Sequence, residues 1–337
     1  MRAVDRFTRG LACLLLGGLA PAAQAEWVHQ EAAIMGTRIA VELWSGDPAA
    51  GQVASDAVLA EMRRVDALMS HYKPESQLSQ INQRAAREAV RVDPELVALI
   101  QRALALSRLT GGAFDITYAS VGYLYDYREH VRPTDDQVRD GLGAVNWRHV
   151  IIDPEASTVR FAREGVRIDL GGIAKGYAVD RAIGILESMG VVHASVTAGG
   201  DSRIIGDRFG RPWVVGIRHP DDAGRIIARM PIVDAALSTS GDYERYFDED
   251  GVRHHHIIDP KTGRSAGEAR SVTIIGPDAT TTDGLSTSVF VLGPERGLAL
   301  VDRLEDVDAV IVRRDGKVLY SSGLAAPRAP PQNQPEK

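Results

Sequence analysis

The sequence predicts an α/β (α+β) fold, and three observations carry that assignment. Short runs of alternating apolar residues recur along the chain, as half-buried strands require. Longer runs, such as Val53–Met69, carry apolar side chains at helical spacing. Between the two, Ile168–Asp180 reads as a strand ending in an acid, a glycine turn and a helix start that carries Lys175. The 337 residues are 44% apolar and 25% charged, enough to bury one large core or two modest ones. No repeat or clean linker divides them.

The first residues place the protein. Arg2, Arg6 and Arg9 precede an apolar stretch, Leu11–Ala20, and then Ala23-Gln24-Ala25, which together read as a secretory signal peptide cleaved after Ala25. The apolar stretch is too short to span a membrane. A periplasmic product is therefore expected. The single cysteine, Cys13, falls within this peptide, so the mature chain uses no thiol for stability or catalysis. A lipoprotein cleavage site at Cys13 fits poorly, because the apolar residues follow the cysteine, and a soluble product is preferred over an inner-membrane lipoprotein. A formal net charge of −6 argues against nucleic-acid binding, which needs a basic face. The expected division is a signal peptide over 1–25, one domain over 26–324, and a disordered, proline-rich tail over 325–337.

Within that domain Ala33–Trp44 alternates like a strand around Met35-Gly36-Thr37, and a helix covers Val53–Met69. Ser70–Ser79 is a polar loop. Asp93-Pro94 starts a helix that runs to Leu109 and stops at Thr110-Gly111-Gly112. Arg128–Asn146 reads as a variable insertion. Strands follow at Val150–Ile152, Val159–Phe161 and Val166–Leu170, then a helix at Ala174–Met189 and a strand at Ala194–Ala198. Further strands are expected at Trp213–Ile217, Ile226–Ile232, Ala235–Thr239, His254–Ile258, Ser271–Ile275, Ala309–Arg313 and Lys317–Ser321. Helices are expected at Asp283–Leu292 and Pro294–Leu304.

Four segments concentrate chemistry. At Asp169–Asp180 the amides of a helix start, the positive end of its dipole and a mobile Lys175 suit a phosphate, and the glycines let it come close. The segment is neither a P-loop nor a dinucleotide fingerprint. Thr280–Ser288 sets Asp283 and Thr287 on one helix face as hard oxygen donors of the kind Mg²⁺ takes; alternatively Thr282 or Asp283 only caps the helix. His254-His255-His256 runs into a Pro-x-x-Gly turn, with His254 and His256 on one strand face; a pocket-facing His256 suits proton transfer near neutrality. Ser238–Tyr243 ends a strand in a hydroxyl-rich turn that either binds phosphate or turns the chain.

Taken in order, Met35-Gly36-Thr37, Ser70–Ser79, Gly112-Ala113-Phe114-Asp115, Asp169–Asp180, Ala198-Gly199-Gly200-Asp201, Thr239–Tyr243, His256–Gly263 and Asp283–Thr287 resemble the ApbE family of FAD:protein FMN transferases. The resemblance spans nearly the whole mature chain. It implies an ApbE-type fold with mixed sheets, flanking helices and a flavin-binding groove. It also implies Mg²⁺-dependent transfer of FMN from FAD to a threonine or serine hydroxyl of an acceptor flavoprotein through a phosphoester, with release of AMP. Carried over by position, Met35, Tyr72, Ala113, Phe114, Asp115, Asp169, Lys175 and Ile257 correspond to FAD contacts. Gly172 through its carbonyl, Asp283 and Thr287 correspond to metal ligands, and His256 to the base. Tyr72 also offers a stacking face. Where some relatives carry an acid this chain has Ser286, which removes a charge from the expected metal shell, and His254 and His255 leave the identity of the base open. Acceptors implied by the resemblance are subunits of membrane redox complexes, of the sodium-pumping quinone reductase or Rnf type, or other exported flavoproteins. Two other activities suit the same residues: a Mg²⁺-dependent FAD pyrophosphatase that passes FMN to water, and a non-catalytic periplasmic flavin-binding protein.

Overall fold

The computed structural model describes residues 25–324. The expected signal peptide, apart from Ala25, and the expected tail lie outside the described residues. The chain opens with β1 (Glu26–Ile34), β2 (Thr37–Ser45), α1 (Pro48–Met69), α2 (Gln77–Arg84), β3 (Val90–Arg91) and α3 (Pro94–Leu109). Next come α4 (Ala119–Gly122), α5 (Asp135–Leu142), β4 (Val150–Asp153), β5 (Thr158–Phe161) and α6 (Ala174–Ser188). Then follow β6 (Ala194–Ala198), β7 (Asp201–Ile205), β8 (Trp213–His219), β9 (Asp222–Ile232) and β10 (Ala236–Gly241). The last elements are β11 (Tyr246–Glu249), β12 (Val252–His255), β13 (Ile258–Asp259), β14 (Arg264–Ser265), β15 (Ala269–Gly276), α7 (Ala279–Leu292), α8 (Pro294–Val301), β16 (Asp308–Arg313) and β17 (Val318–Tyr320).

An eight-stranded sheet in the order β1-β2-β6-β7-β10-β15-β16-β17 forms the backbone of the fold. Its pairings are antiparallel throughout, as are those of the smaller sheets, so parallel pairs expected of mixed sheets do not occur among the described residues. Tight turns at Met35-Gly36 and Gly199-Gly200 force that direction on the strands they join. α1, α6 and α7 cover one face and bury the main core with it. Strand alternation sends Ala236 and Ile205 into that core, while their neighbours Leu237 and Ile204 join Trp213 and Ile232 in a small second cluster under the β8–β9 hairpin. Among the described residues no helix is long and apolar enough to cross a membrane.

Several expected elements change, each for a local reason. Ala33–Trp44 is not one strand but parts of a hairpin, because Met35 (φ 56°) and Gly36 (φ 69°) both take left-handed backbone in a two-residue turn. The polar loop ends early, at Ser76, whose hydroxyl caps α2. The expected insertion contains α5, closed by a capping box between Thr134 and Gln137. Val166–Leu170 does not form a strand. The Asn82 side chain accepts from the Ile168 amide at 2.8 Å and donates to the Ile168 carbonyl at 2.9 Å, and the Asp169 amide donates to the Ile116 carbonyl at 2.9 Å, so no strand partner is needed.

α7 starts four residues before Asp283, so neither Thr282 nor Asp283 is its cap. Asp278 takes that place and accepts from the Thr281 amide at 2.9 Å. Asp180, reaching across from α6, accepts from the Ala279 and Thr280 amides at 2.9 and 2.8 Å. Two carboxylates thus hold the positive end of α7, and the second ties it to α6.

The two helices meet at Gly176. A β-carbon there would lie 2.0 Å from the Ala279 carbonyl oxygen, so only glycine lets the backbones come this close. Alanine for glycine within a helix is normally worth about 1 kcal/mol in favour of folding. Gly176→Ala is instead expected to destabilise by about 2 kcal/mol or more through overpacking. Urea denaturation decides, and a stability gain would mean that α6 and α7 are not in this contact.

Candidate functional site

The helix start that suits a phosphate in the sequence is already engaged by protein groups. Ile173, at the cap position of α6, offers no side-chain bond. Instead Asp283, from the second turn of α7, accepts from the Gly176 amide at 3.0 Å through Oδ2. Lys175, expected to be mobile, is pinned and only 26% exposed in its side chain. Its Nζ lies 2.8 Å from Asp201 Oδ2, 3.5 Å from both Asp283 oxygens and 3.3 Å from the Gly171 carbonyl. Asp201 comes from the start of β7 and pairs with Ser238 of β10, so the sheet brings it to the helix start.

One ammonium therefore faces two buried carboxylates. Burial and the neighbouring Asp201 push Asp283 well above the ordinary carboxylate range, despite Lys175 and the Gly176 amide. Burial would lower Lys175, but Asp201 and Asp283 outweigh it and hold the ammonium above its ordinary value. Asp201 Oδ2 is buried and, although close to Nζ, has no aligned hydrogen bond. Such a cluster carries a net negative charge that a second cation would relieve.

The remaining donors suit a hard cation. A β-carbon on Gly172 would sit 3.2 Å from Thr287 Oγ1, which sets that hydroxyl beside the glycine backbone. Among the described residues no group of three or more His, Cys, Asp or Glu side chains is placed to hold a metal. A divalent ion here would rely on oxygen donors of mixed type, namely the Asp283 carboxylate, the Gly172 carbonyl and the Thr287 hydroxyl. That set fits Mg²⁺, which takes few carboxylates and keeps waters or phosphate oxygens in its shell.

The flavin contacts implied by the sequence divide into three groups. Asp169 and Phe114 join the cluster: Phe114 would lie 3.3 Å from a β-carbon on Gly172, and Asp169 accepts from the Gly171 amide at 2.6 Å and from the Tyr118 hydroxyl at 3.2 Å. His71 also pairs with Asp169 through Nδ1. Burial alone would raise Asp169, but His71 and the Gly171 amide hold it below the ordinary carboxylate range. Tyr72, 73% exposed, reaches the cluster through His71, with its ring 3.8 Å from that of His71, and Met35 lies at the β1–β2 turn. In the third group the side chains are buried or already bonded within the protein. Asp115 spends its oxygens on the Thr117 amide and hydroxyl and the Trp147 amide, and Ala113 and Ile257 are buried. Asp115 also lines, with Gly112, Asn146, Trp147, Pro260 and Lys261, a groove of about 310 Å³.

The histidine run separates by burial. The strand expected through Ile258 breaks after His255, leaving His256 between β12 and β13. His255 is 3% exposed; its Nε2 donates to the Ala266 carbonyl at 2.7 Å while Nδ1 accepts from the Ile257 amide at 3.3 Å. It is a core residue. His256 is half-buried, its Nδ1 has no hydrogen-bond partner, and burial together with Arg245 pulls it down to about 3. Lys175 adds a smaller contribution to that lowering. An imidazole held this low is neutral but a weak base near neutral pH, and negative charge brought by a bound nucleotide would raise it toward the range that suits proton transfer.

Sequence reasoning gave no role to Asp201 or His71, and read Ser240 only as part of a hydroxyl-rich turn. Asp201 follows the Gly199-Gly200 turn, and His71 precedes Tyr72, but only the tertiary pairings bring them to Lys175 and Asp169.

The state of His255 makes a testable prediction. Burial lowers it from 6.5 to about 4, so the unfolded chain binds its proton first as pH falls. Stability is full above about 6.5 and falls between there and about 4, by up to about 3 kcal/mol from this group. His255→Asn should remove that share of the slope in urea titrations at pH 7 and 4.5. An unchanged slope would contradict the buried neutral imidazole.

The sequence pattern of the ApbE family matches residues 35–311. The FAD:protein FMN transferase of Treponema pallidum (strain Nichols) is 33% identical, covering 93% of this chain and 92% of the relative. That of Klebsiella pneumoniae (strain 342) is 34% identical over 86% of this chain and 90% of its own. Among solved structures, the ApbE protein from Thermotoga maritima aligns with a TM-score of 0.82 at 36% identity, covering 88% of this chain and 98% of that one. The flavin transferase ApbE from Vibrio cholerae aligns with a TM-score of 0.79 at 32% identity, with the same coverage.

Proposed function

The chain belongs to the ApbE family, and from that premise we propose that it transfers the FMN half of FAD to a threonine or serine hydroxyl of an acceptor flavoprotein, releasing AMP. The observation that carries this reading is the cluster in which Lys175 faces buried Asp201 and Asp283 beside the oxygens of Gly172 and Thr287. Asp283, Thr287 and the Gly172 carbonyl would hold Mg²⁺. When bound, that ion supplies positive charge to the pyrophosphate oxygens, on which negative charge grows as the bond breaks.

The residues of the chain do the rest. Lys175 places a second positive charge at the helix start. The neutral His256 accepts the proton of the attacking hydroxyl, whose oxygen bonds to the FMN phosphorus as the bond to the bridging oxygen breaks. AMP departs with that oxygen. Asp169, Phe114 and Tyr72 contact the flavin nucleotide. An exported enzyme acting in the periplasm on subunits of membrane redox complexes, of the sodium-pumping quinone reductase or Rnf type, or on other exported flavoproteins, suits the signal-like residues before Glu26.

Asp283→Asn keeps an acceptor for the Gly176 amide and removes the charge. It is expected to cut acceptor labelling at least 100-fold, read as in-gel flavin fluorescence, while the protein still unfolds cooperatively. His256→Ala should lower the labelling rate far more than it weakens FAD binding. Labelling at wild-type rates in the Asp283 variant would refute the metal assignment, and in the His256 variant the assignment of the base.

A further inference from the structure

Two serine hydroxyls lie beside the proposed ligand Thr287, and the protons of the three have one consistent arrangement. Ser286 Oγ is 2.9 Å from the Asp283 carbonyl oxygen. Ser240 Oγ, from the end of β10, is 2.8 Å from Ser286 Oγ and 3.3 Å from Thr287 Oγ1. A carbonyl only accepts, so Ser286 donates to Asp283. Its proton spent, Ser286 can only accept from Ser240. Ser240 in turn has no proton left for Thr287 and must accept from it. Three contacts and three protons thus form a directed chain, Thr287 to Ser240 to Ser286 to the Asp283 carbonyl.

The direction has a consequence for binding. A hydroxyl that ligates a cation must turn its proton away and present a lone pair, and a fixed acceptor for that proton makes the orientation permanent. Thr287 Oγ1 borders Gly172, whose carbonyl belongs to the same donor set. We infer that Ser240 is a positioning residue for the divalent cation: by accepting the Thr287 proton, under the direction imposed by Ser286, it holds the Thr287 lone pair toward the ion. The inference rests on the metal reading proposed above. It also gives the buried Ser286 a role, since that serine fixes the polarity of the chain.

The test measures metal binding without turnover. The purified metal-free chain is titrated with Mn²⁺ in the absence of flavin, and the free ion is followed by electron paramagnetic resonance. Ser240→Ala is expected to raise the Mn²⁺ Kd about ten-fold, as loss of a group supporting a ligand does. Ser240→Thr, which keeps the hydroxyl, should bind nearly as wild type. Ser286→Ala is the discriminating variant: its hydroxyl has no bond to Thr287, yet its loss frees Ser240 to turn its proton onto Thr287 and should weaken Mn²⁺ as well. If Ser240→Ala melts cooperatively it reads the relay directly, and if it does not fold, Ser286→Ala reads it. Wild-type affinity in the folded alanine variants would overturn the relay and leave the metal reading standing. No Mn²⁺ uptake by the wild-type chain would overturn both.

Discussion

The contact between α6 and α7 at Gly176 is the constraint on which the site depends. It brings an acid from the second turn of one helix onto a first-turn amide of the other, at 3.0 Å. That placement takes the acid out of water, and the cost of burying its charge is met by Lys175, one residue earlier, and by the amide itself. The lysine is shared with Asp201, so the compensation is incomplete. A site left with excess negative charge and free oxygen donors at a helix start is suited to a cation, and through it to a phosphate.

The sheet sets the other half of the geometry. Antiparallel pairing puts the start of β7, carrying Asp201, against Ser238, while Ser240, two residues further along β10, reaches the hydroxyls of α7. Asp180 locks α7 to α6 from the far side of the same helix pair and is itself held by Arg203 of β7 at 2.9 Å. Sheet, lysine helix and acid helix are thereby fixed to one another by charged hydrogen bonds as well as by the apolar core. Buried polar networks of this kind serve positional definition more than stability.

Much of this was legible in the sequence, and the misses have physical causes. The glycine turn and helix start of Asp169–Asp180 could be read from the residues alone, but neither the absence of a strand before it nor the pinning of Lys175 could. α2 was missed because only Leu78 and Ile81 mark its buried face in an otherwise polar stretch. The start of α7 was placed late because Thr280, Thr281 and Thr282 are weak helix formers, and the carboxylate that secures them, Asp180, lies about a hundred residues away. Val166–Leu170 alternates like a strand, but its backbone partner is the side chain of Asn82, which no local pattern announces. The functional roles of Asp201 and Ser240 were hidden for the same reason, since each depends on sheet register. The histidine run shows the limit from the other direction: three identical side chains in sequence become a core residue at His255 and a half-buried, partnerless one at His256 only through burial.

The central claim is that this cluster moves an FMN group from FAD to a protein hydroxyl. The most direct measurement is the intact mass of a candidate acceptor domain after incubation with the chain, FAD and Mg²⁺, with AMP quantified in the same sample. The account predicts a mass gain of one FMN phosphoester per acceptor, one AMP released for each, and neither when the metal is chelated. AMP and free FMN accumulating while the acceptor mass stays unchanged would contradict it.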